Sequence, residues 1–405
     1  MKKWFKYILY ILAIISLTTC KTPYLPAPVT AITNYLVVEG FINITDSTYI
    51  NLSRTVNLSA KTTAKPELKA TVTIESNTGN SYALKELGKG IYAAPSYSLS
   101  PANQYRLRIK TASGGAYVSD FTATVPSPPI DSVSWVIKGQ SVNIYTNTHD
   151  PKNATHYYRW DFTEEWEFHT DYQTDWISNG LAIIPRLPSQ NVYHCYGGDT
   201  SQNINLGTSV QLSQDVISQV MTAIPVDNEK LGIKYSIQVK QYALTKDAYD
   251  YWTLLKKNTE QLGSIFDSQP SSSIGNIHNV NVPAEPVIGY ISAGSIGIQR
   301  IFISKGQLPS NIITTPAYPI TPFQCGLDTM VYRFLVSSPP PLYIYPQNQY
   351  INYKQPDFVG PTFIPIMTVQ AGPVPAGVNP DFLAARPICV DCTLRGSVNK
   401  PAYWQ

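Results

Sequence analysis

The chain has little charge. Asp, Glu, Lys and Arg make up only 14% of its 405 residues, and 30 basic against 27 acidic side chains leave a formal +3. Three of the lysines, Lys2, Lys3 and Lys6, stand at the very start, so the chain from residue 20 onward is balanced at 27 against 27. No basic field is left to hold a polyanion, and nucleic acid is not an expected partner. Long apolar runs are also missing after Cys20, so no transmembrane helix is expected in the body. The five histidines, His149, His156, His169, His194 and His278, fall at no tight ligand spacing such as HExxH. A GxSxG elbow and a glycine-rich phosphate loop with its lysine are absent as well, and Gly197-Gly198 reads as a turn. These absences leave no catalytic residue, cofactor-binding residue or metal ligand to assign. Glu164, Glu165 and Glu167 are the one acidic group that invites thought of glycoside hydrolysis. That chemistry needs two carboxylates at a set distance across a cleft, and neighbouring acids are more often a solvated surface.

What the chain does have begins at its start. A basic segment is followed by the apolar stretch from Ile8 to Leu17, too short to span a bilayer comfortably, and then by Leu17-Thr18-Thr19-Cys20. This layout resembles a bacterial lipoprotein signal, with 1–19 as the signal peptide and Cys20 as the site of lipid attachment. Thr19 departs from the usual Gly, Ala or Ser. Several acyl chains hold a protein firmly where one holds weakly, so such an anchor needs no membrane span of its own. Pro23, Pro26 and Pro28 keep 20–34 extended, as suits a lipidated tether.

Four further cysteines remain, Cys195, Cys325, Cys389 and Cys392. An even number in an exported chain points to two disulfides, for which three pairings exist. The short Cys389-Val-Asp-Cys392 spacing favours Cys389 with Cys392, which leaves Cys195 with Cys325. A redox CxxC and a four-cysteine zinc site are the alternatives. The first normally wants a helix N-terminus, and the second wants a second close pair.

The fold class reads as mainly β. Over 35–125 about seven short strands alternate apolar and polar residues, as in Tyr105, Leu107 and Ile109 against Arg106, Arg108 and Lys110. Turns stand at Asn77-Thr-Gly79 and Ser113-Gly-Gly115. This is the pattern of an N-terminal immunoglobulin-like sandwich. Pro126, Pro128 and Pro129 then mark a boundary. A larger β-rich domain with a few short helices is expected over 130–305. It includes a strand at Tyr157 to Phe162, a short helix from Ser213 to Ala223 and a strand at Tyr235 to Tyr242. A helix follows from Thr245 to Lys257 with the stripe Ala248, Tyr251, Trp252 and Leu255. Such a stripe is more often a packing face than a binding face. Val287 to Ser292 and Gln299 to Ser304 read as a strand pair turning at Gly297. The last stretch, 306–405, is Pro-rich, with 16 of the 32 prolines lying beyond residue 305, and is expected to be stapled to the body by disulfides.

Several runs together carry a family resemblance. They are Leu36-Val-Val-Glu-Gly40, Tyr235-Ser-Ile-Gln-Val239, Gln241-Tyr-Ala-Leu244, Tyr251-Trp252 and Gly263-Ser-Ile-Phe-Asp267. Gln269-Pro270, Gly275-Asn276, Val287-Ile-Gly-Tyr290, Arg300-Ile-Phe-Ile303, Cys389-Val-Asp-Cys392 and Lys400-Pro-Ala-Tyr-Trp404 complete them. In these the chain resembles a family of Bacteroidota outer-membrane lipoproteins whose domain has no known function and whose genes commonly lie beside TonB-dependent receptors. The resemblance implies a location in the outer membrane, with the cell surface favoured over the periplasmic face, and a β-barrel receptor as partner. It supplies no catalytic residues. The expected role is a non-enzymatic accessory in capture or uptake of a glycan, peptide or metal chelate. The alternatives are an assembly factor or adhesin of the outer membrane and, third, a glycan-active enzyme.

The lipid anchor is directly testable. Metabolic labelling with a fatty-acid analogue should mark the wild type. Cys20→Ala should lose both the label and the membrane fraction, and retention of both would refute the anchor.

Overall fold

The computed structural model describes residues 34–57, 64–178, 183–260, 275–310, 325–330, 334–336, 342–344, 363–369 and 381–404. The expected signal peptide and Cys20 lie outside them. The chain is mainly β, as its alternation implies, and one α-helix occurs among the described residues.

The first body is a sheet that closes on itself. Eight strands run round the ring in the order Gln104–Lys110, Thr71–Ser76, Ser81–Gly88, Ile91–Ala94, Thr48–Arg54, Leu36–Asn43, Ser292–Gly294 and Thr122–Val125, which pairs back to Gln104–Lys110. Period-two alternation explains the interior: Leu36, Val38, Ile50, Leu52, Val72, Ile74, Tyr105 and Leu107 all point inward and are buried. The turns at Gly79 and Gly114 take φ of +91° and +92°, the left-handed backbone that glycine adopts without strain. Seven ring strands come from 35–125, yet the immunoglobulin-like part of the expectation is not confirmed. The hydrogen bonding gives one continuous ring, and its closing strand arrives from far along the sequence. Ser292–Gly294 lies parallel to both Leu36–Asn43 and Thr122–Val125.

That closing segment is held by its own chemistry. The buried Asn276 side chain brackets the backbone of Ile291, donating to its carbonyl and accepting from its N–H at 2.9 Å each. A Cβ on Gly275 would stand 1.7 Å from the Gly289 carbonyl oxygen, so the two backbones can approach this closely only without a side chain. The expected strand pair turning at Gly297 is therefore corrected. Ser292–Gly294 belongs to the ring, whereas Gly297 lies inside the strand Ile296–Ser304, which pairs with Lys234–Ala243 in the second body.

The second body has two sheets around one core. A three-stranded sheet holds Ile130–Lys138, Ser141–His149 and Val216–Pro225. A five-stranded sheet runs His194–Thr200, Tyr157–His169, Lys234–Ala243, Ile296–Ser304, with Asn205–Thr208 beside Tyr157–His169. Val133, Ile144, Ile217 and Met221 meet Tyr158, Trp160, Tyr235 and Ile237 between them. The helix expected from Ser213 to Ala223 is corrected to the strand Val216–Pro225. Its buried residues are Ile217, Met221 and Ile224, spaced four and then three apart, which imitates a helical face. The cause is a bulge: Tyr145 pairs with Val220 and Ile144 with Thr222, so Met221 is the extra residue. Gly197-Gly198 is likewise no turn but part of His194–Thr200. There a Cβ on Gly197 would come within 2.5 Å of the Trp166 indole. The helix runs Lys246–Glu260, and the Thr245 hydroxyl accepts from the Ala248 N–H at 3.2 Å as its cap.

The disulfides join Cys195 to Cys392 and Cys325 to Cys389. This corrects the expected pairing of Cys389 with Cys392 and of Cys195 with Cys325. The two close cysteines sit on successive turns of 3₁₀ helix, Pro387–Cys389 and Cys392–Leu394, that meet different neighbours. The Cys392 N–H donates to Val192 at 2.9 Å, beside the strand that carries Cys195. Tyr172 bridges the other pair: its N–H donates to the Cys389 carbonyl and its hydroxyl to the Cys325 carbonyl at 2.8 Å. Beyond them Trp404 packs edge-on to Tyr196 and Phe302, and the Arg300 guanidinium lies 3.7 Å from the Tyr403 ring centre, so the tail is pinned across the outer face of the five-stranded sheet.

Non-reducing peptide mapping should recover these two pairs and no Cys389–Cys392 peptide. The bridges span 197 and 64 residues. Chain-entropy arguments assign them about 5 and about 4 kcal/mol, so replacing Cys195 and Cys392 by Ser should lower urea stability more than replacing Cys325 and Cys389.

Candidate functional site

The two bodies meet along an aromatic seam, and beside it lies a cleft of about 1000 Å³. One wall is the outer face of the ring. Alternation turns Val38, Ile50 and Leu52 inward, and so turns Glu39, Tyr49 and Asn51 outward. Glu39 and Asn51 are cross-strand partners, and the Asn51 amide donates to the Glu39 carboxylate at 2.9 Å. Tyr49 stands next to them and is 58% exposed.

The opposite wall belongs to the second body. In Tyr157–His169 the residues Tyr158, Trp160 and Phe162 face the core, which leaves Arg159 and Asp161 facing the cleft, paired in register with Tyr242 and Lys240. The helix forms the roof. Its stripe does both of the things a Tyr–Trp stripe can do: Ala248 and Tyr251 are buried as packing, and Trp252 and Leu255 are half-buried and line the cleft. The helix also holds the loop that finishes this wall. Lys256 donates to the Ile204 carbonyl at 2.7 Å and Glu260 accepts from the Ile204 N–H at 2.5 Å, which fixes the end of 200–204.

Arg159 is the centre of the seam. Its guanidinium lies 4.1 Å from the centre of the Trp252 ring and 4.4 Å from that of Tyr242, and it donates to Asp161 at 3.1 Å. Phe41 of the ring body meets Tyr242 edge-on at 5.1 Å, and Tyr251 meets Tyr290 at 5.3 Å. Burial first, and the Asp161 charge second, push the Tyr242 phenol up to about 12. It therefore stays neutral at physiological pH.

The other polar groups that the sequence singled out are placed apart from this cleft. Glu164 is buried and held by Lys230 and by the Tyr235 hydroxyl, at 2.5 Å each. Burial and that carboxylate push the Tyr235 phenol far up. Glu165 pairs with Arg300 at 2.8 Å. Arg106 and Arg108 share the single carboxylate of Glu75, which offsets one of their two charges. His149 pairs with Asp131 and His278 with Asp120, while His169 stacks on Tyr193 beside His194. Among the described residues the one close set of possible metal ligands is Asp171, Cys325 and Cys389. The two sulfurs there are bonded to each other, so they offer no thiolate. A second recess, of about 1080 Å³, lies by Asn34, where Arg54 is held by Glu67 and Tyr117 donates to Glu285.

Sequence reasoning missed Tyr49, Asn51, Arg159 and Asp161 as cleft residues. The available signal was their strand parity: each is an outward residue between inward, buried neighbours. Which outward face meets another body is not a property of parity.

Replacing Arg159 by Ala should cost about 2 kcal/mol in urea unfolding, because two desolvated ring contacts are lost. Arg159→Lys should recover little, since an ammonium cannot lie flat between rings. Full recovery by Lys would show that charge alone matters there.

No curated protein matches the chain in sequence. Among solved structures, a DUF4785 family protein from Legionella pneumophila is similar at 10% identity, with 51% of this chain and 52% of that one covered and a TM-score of 0.19. The chain thus spans about half the length of that protein. A segment of two fibronectin type-III domains from chicken tenascin is similar at 12% identity, with 52% of this chain and 91% of that one covered and a TM-score of 0.16. Likeness at this level carries no argument about function. The sequence match is of another order: residues 21–300 fit the family described as Domain of unknown function (DUF4249), and the chain belongs to that family.

Proposed function

We propose that the protein is an outer-membrane lipoprotein, anchored through Cys20, that serves a TonB-dependent β-barrel receptor as a non-enzymatic partner in ligand capture. The cleft between the two bodies carries this reading. It is concave, walled by both bodies and lined by aromatic side chains with a few convergent polar groups, the make-up of a small-molecule site. The lipobox-like start and the family resemblance support the anchor and the receptor. An enzymatic reading gains no support from Glu164 and Glu165, because both carboxylates are already committed to Lys230, Tyr235 and Arg300. The cell surface is the favoured face, although Lys21, Thr22 and Pro23 put no acid directly after the cysteine.

The chain, tagged and purified from gently solubilised native membranes, should bring a β-barrel receptor with it. A tag inserted at Gly114 should be reached by antibody on intact cells, since nothing stands within 4 Å of a side chain built at that turn. Recovery without any receptor would refute the partnership. A tag reached only after the outer membrane is opened would refute capture from outside and would favour an assembly role.

A further inference from the structure

We infer that the cleft takes a neutral, hydroxyl-rich ring, that is, a segment of an uncharged oligosaccharide. The inference rests on the capture reading and narrows its ligand class.

The ring wall presents an aromatic platform beside planar polar groups. Tyr49, the second residue of its strand, is 58% exposed, and Asn51 and Glu39 share its outward face. Their mutual hydrogen bond leaves one Asn51 N–H and the second Glu39 oxygen for a ligand. A pyranose has that complement. Its C–H face packs on an aromatic ring, and its rim of hydroxyls both donates and accepts. Across the cleft, Trp252 supplies a second ring, and Gln202 lies on the loop fixed by the helix end.

The other two ligand classes fit this surface less well. A peptide that binds by adding a strand needs an open sheet edge. Here both walls are sheet faces. Leu36–Asn43 and Thr48–Arg54 each have strand neighbours on both sides, and so do Tyr157–His169 and Lys234–Ala243. An anionic metal chelate calls for clustered, available cations. Arg159 is committed to Asp161 and two rings, while Lys89 and Lys240 come from opposite walls. With charges paired or dispersed, stacking and neutral hydrogen bonds are what the cleft has to offer.

The test uses the mature chain and three named probe sets. They are an array of neutral glucans, mannans, xylans and galactans, a tryptic digest of casein, and ferric citrate. A neutral glycan should bind, as read by array and then by calorimetry. Tyr49→Ala should weaken it about tenfold, and Tyr49→Phe should restore it, as a stacking contact requires. The exposed position of Tyr49 keeps the fold intact, and an unchanged melting temperature checks this. Binding of peptide or ferric citrate with the same dependence on Tyr49 would overturn the saccharide class and leave capture standing. Glycan binding indifferent to Tyr49 would overturn the assignment to this cleft. Failure of all three probe sets would overturn the inference and the capture reading together.

Discussion

The structure depends on the return of residues 275–294 to the first body. Asn276 fixes the Ile291 backbone in the buried interior, and glycines at 275 and 289 let three stretches of main chain lie almost in contact. Each buried backbone group left unmet costs about 1–3 kcal/mol, so this one amide, which meets two of them, helps settle where a strand made far along the sequence must lie. The consequence is mechanical. Only Ser295 separates the ring strand Ser292–Gly294 from Ile296–Ser304 of the second body. The two bodies therefore share a segment with almost no slack, and the linker at Pro126 to Pro129 is another of their crossings.

That second crossing is pinned as well. Gln241, fully buried, accepts from the Trp160 indole and donates to the Pro128 carbonyl at 2.9 Å and to the Thr148 hydroxyl at 3.1 Å. With these two crossings held, the aromatic seam of Phe41, Tyr242, Tyr251 and Tyr290 is fixed in place, and the cleft beside it is preformed. Preorganisation of this kind matters most for ligands whose contacts are individually weak, because little ordering has to accompany binding. The low charge of the chain fits the same picture: the ionic groups near the cleft stiffen its walls, as Arg159 does with Asp161.

The C-terminal region extends the second body, and none of its described residues lines the cleft. Its strands Asp328–Met330, Ile364–Val369 and Asp381–Ala385 form a separate small sheet, and two disulfides tie it to the strand at Cys195 and to itself. Cross-links over long separations act mainly by restricting the unfolded chain. A Pro-rich segment with a small core gains most from such restriction, because prolines keep it from building long ladders of its own.

Much of this was legible in the residues. Period-two alternation determined the β class, the inward set of the first body and the outward parity of Tyr49 and Arg159. Thr245 and the stripe behind it determined the helix to within a few residues. Tertiary structure decided the rest. A bulge at Met221 turned a strand into the semblance of a helical face, since an inserted residue shifts parity locally. Cys389 and Cys392 look like natural partners at their spacing, but successive tight turns carry them toward different neighbours. The ring closed through a segment nearly 170 residues beyond Thr122–Val125, and with it came the cleft. Local sequence fixes which side of a strand is apolar because that follows from backbone geometry within a few residues. Which distant strand completes a sheet, and which polar face then meets another, depends on contacts between parts of the chain that carry no local sign of each other.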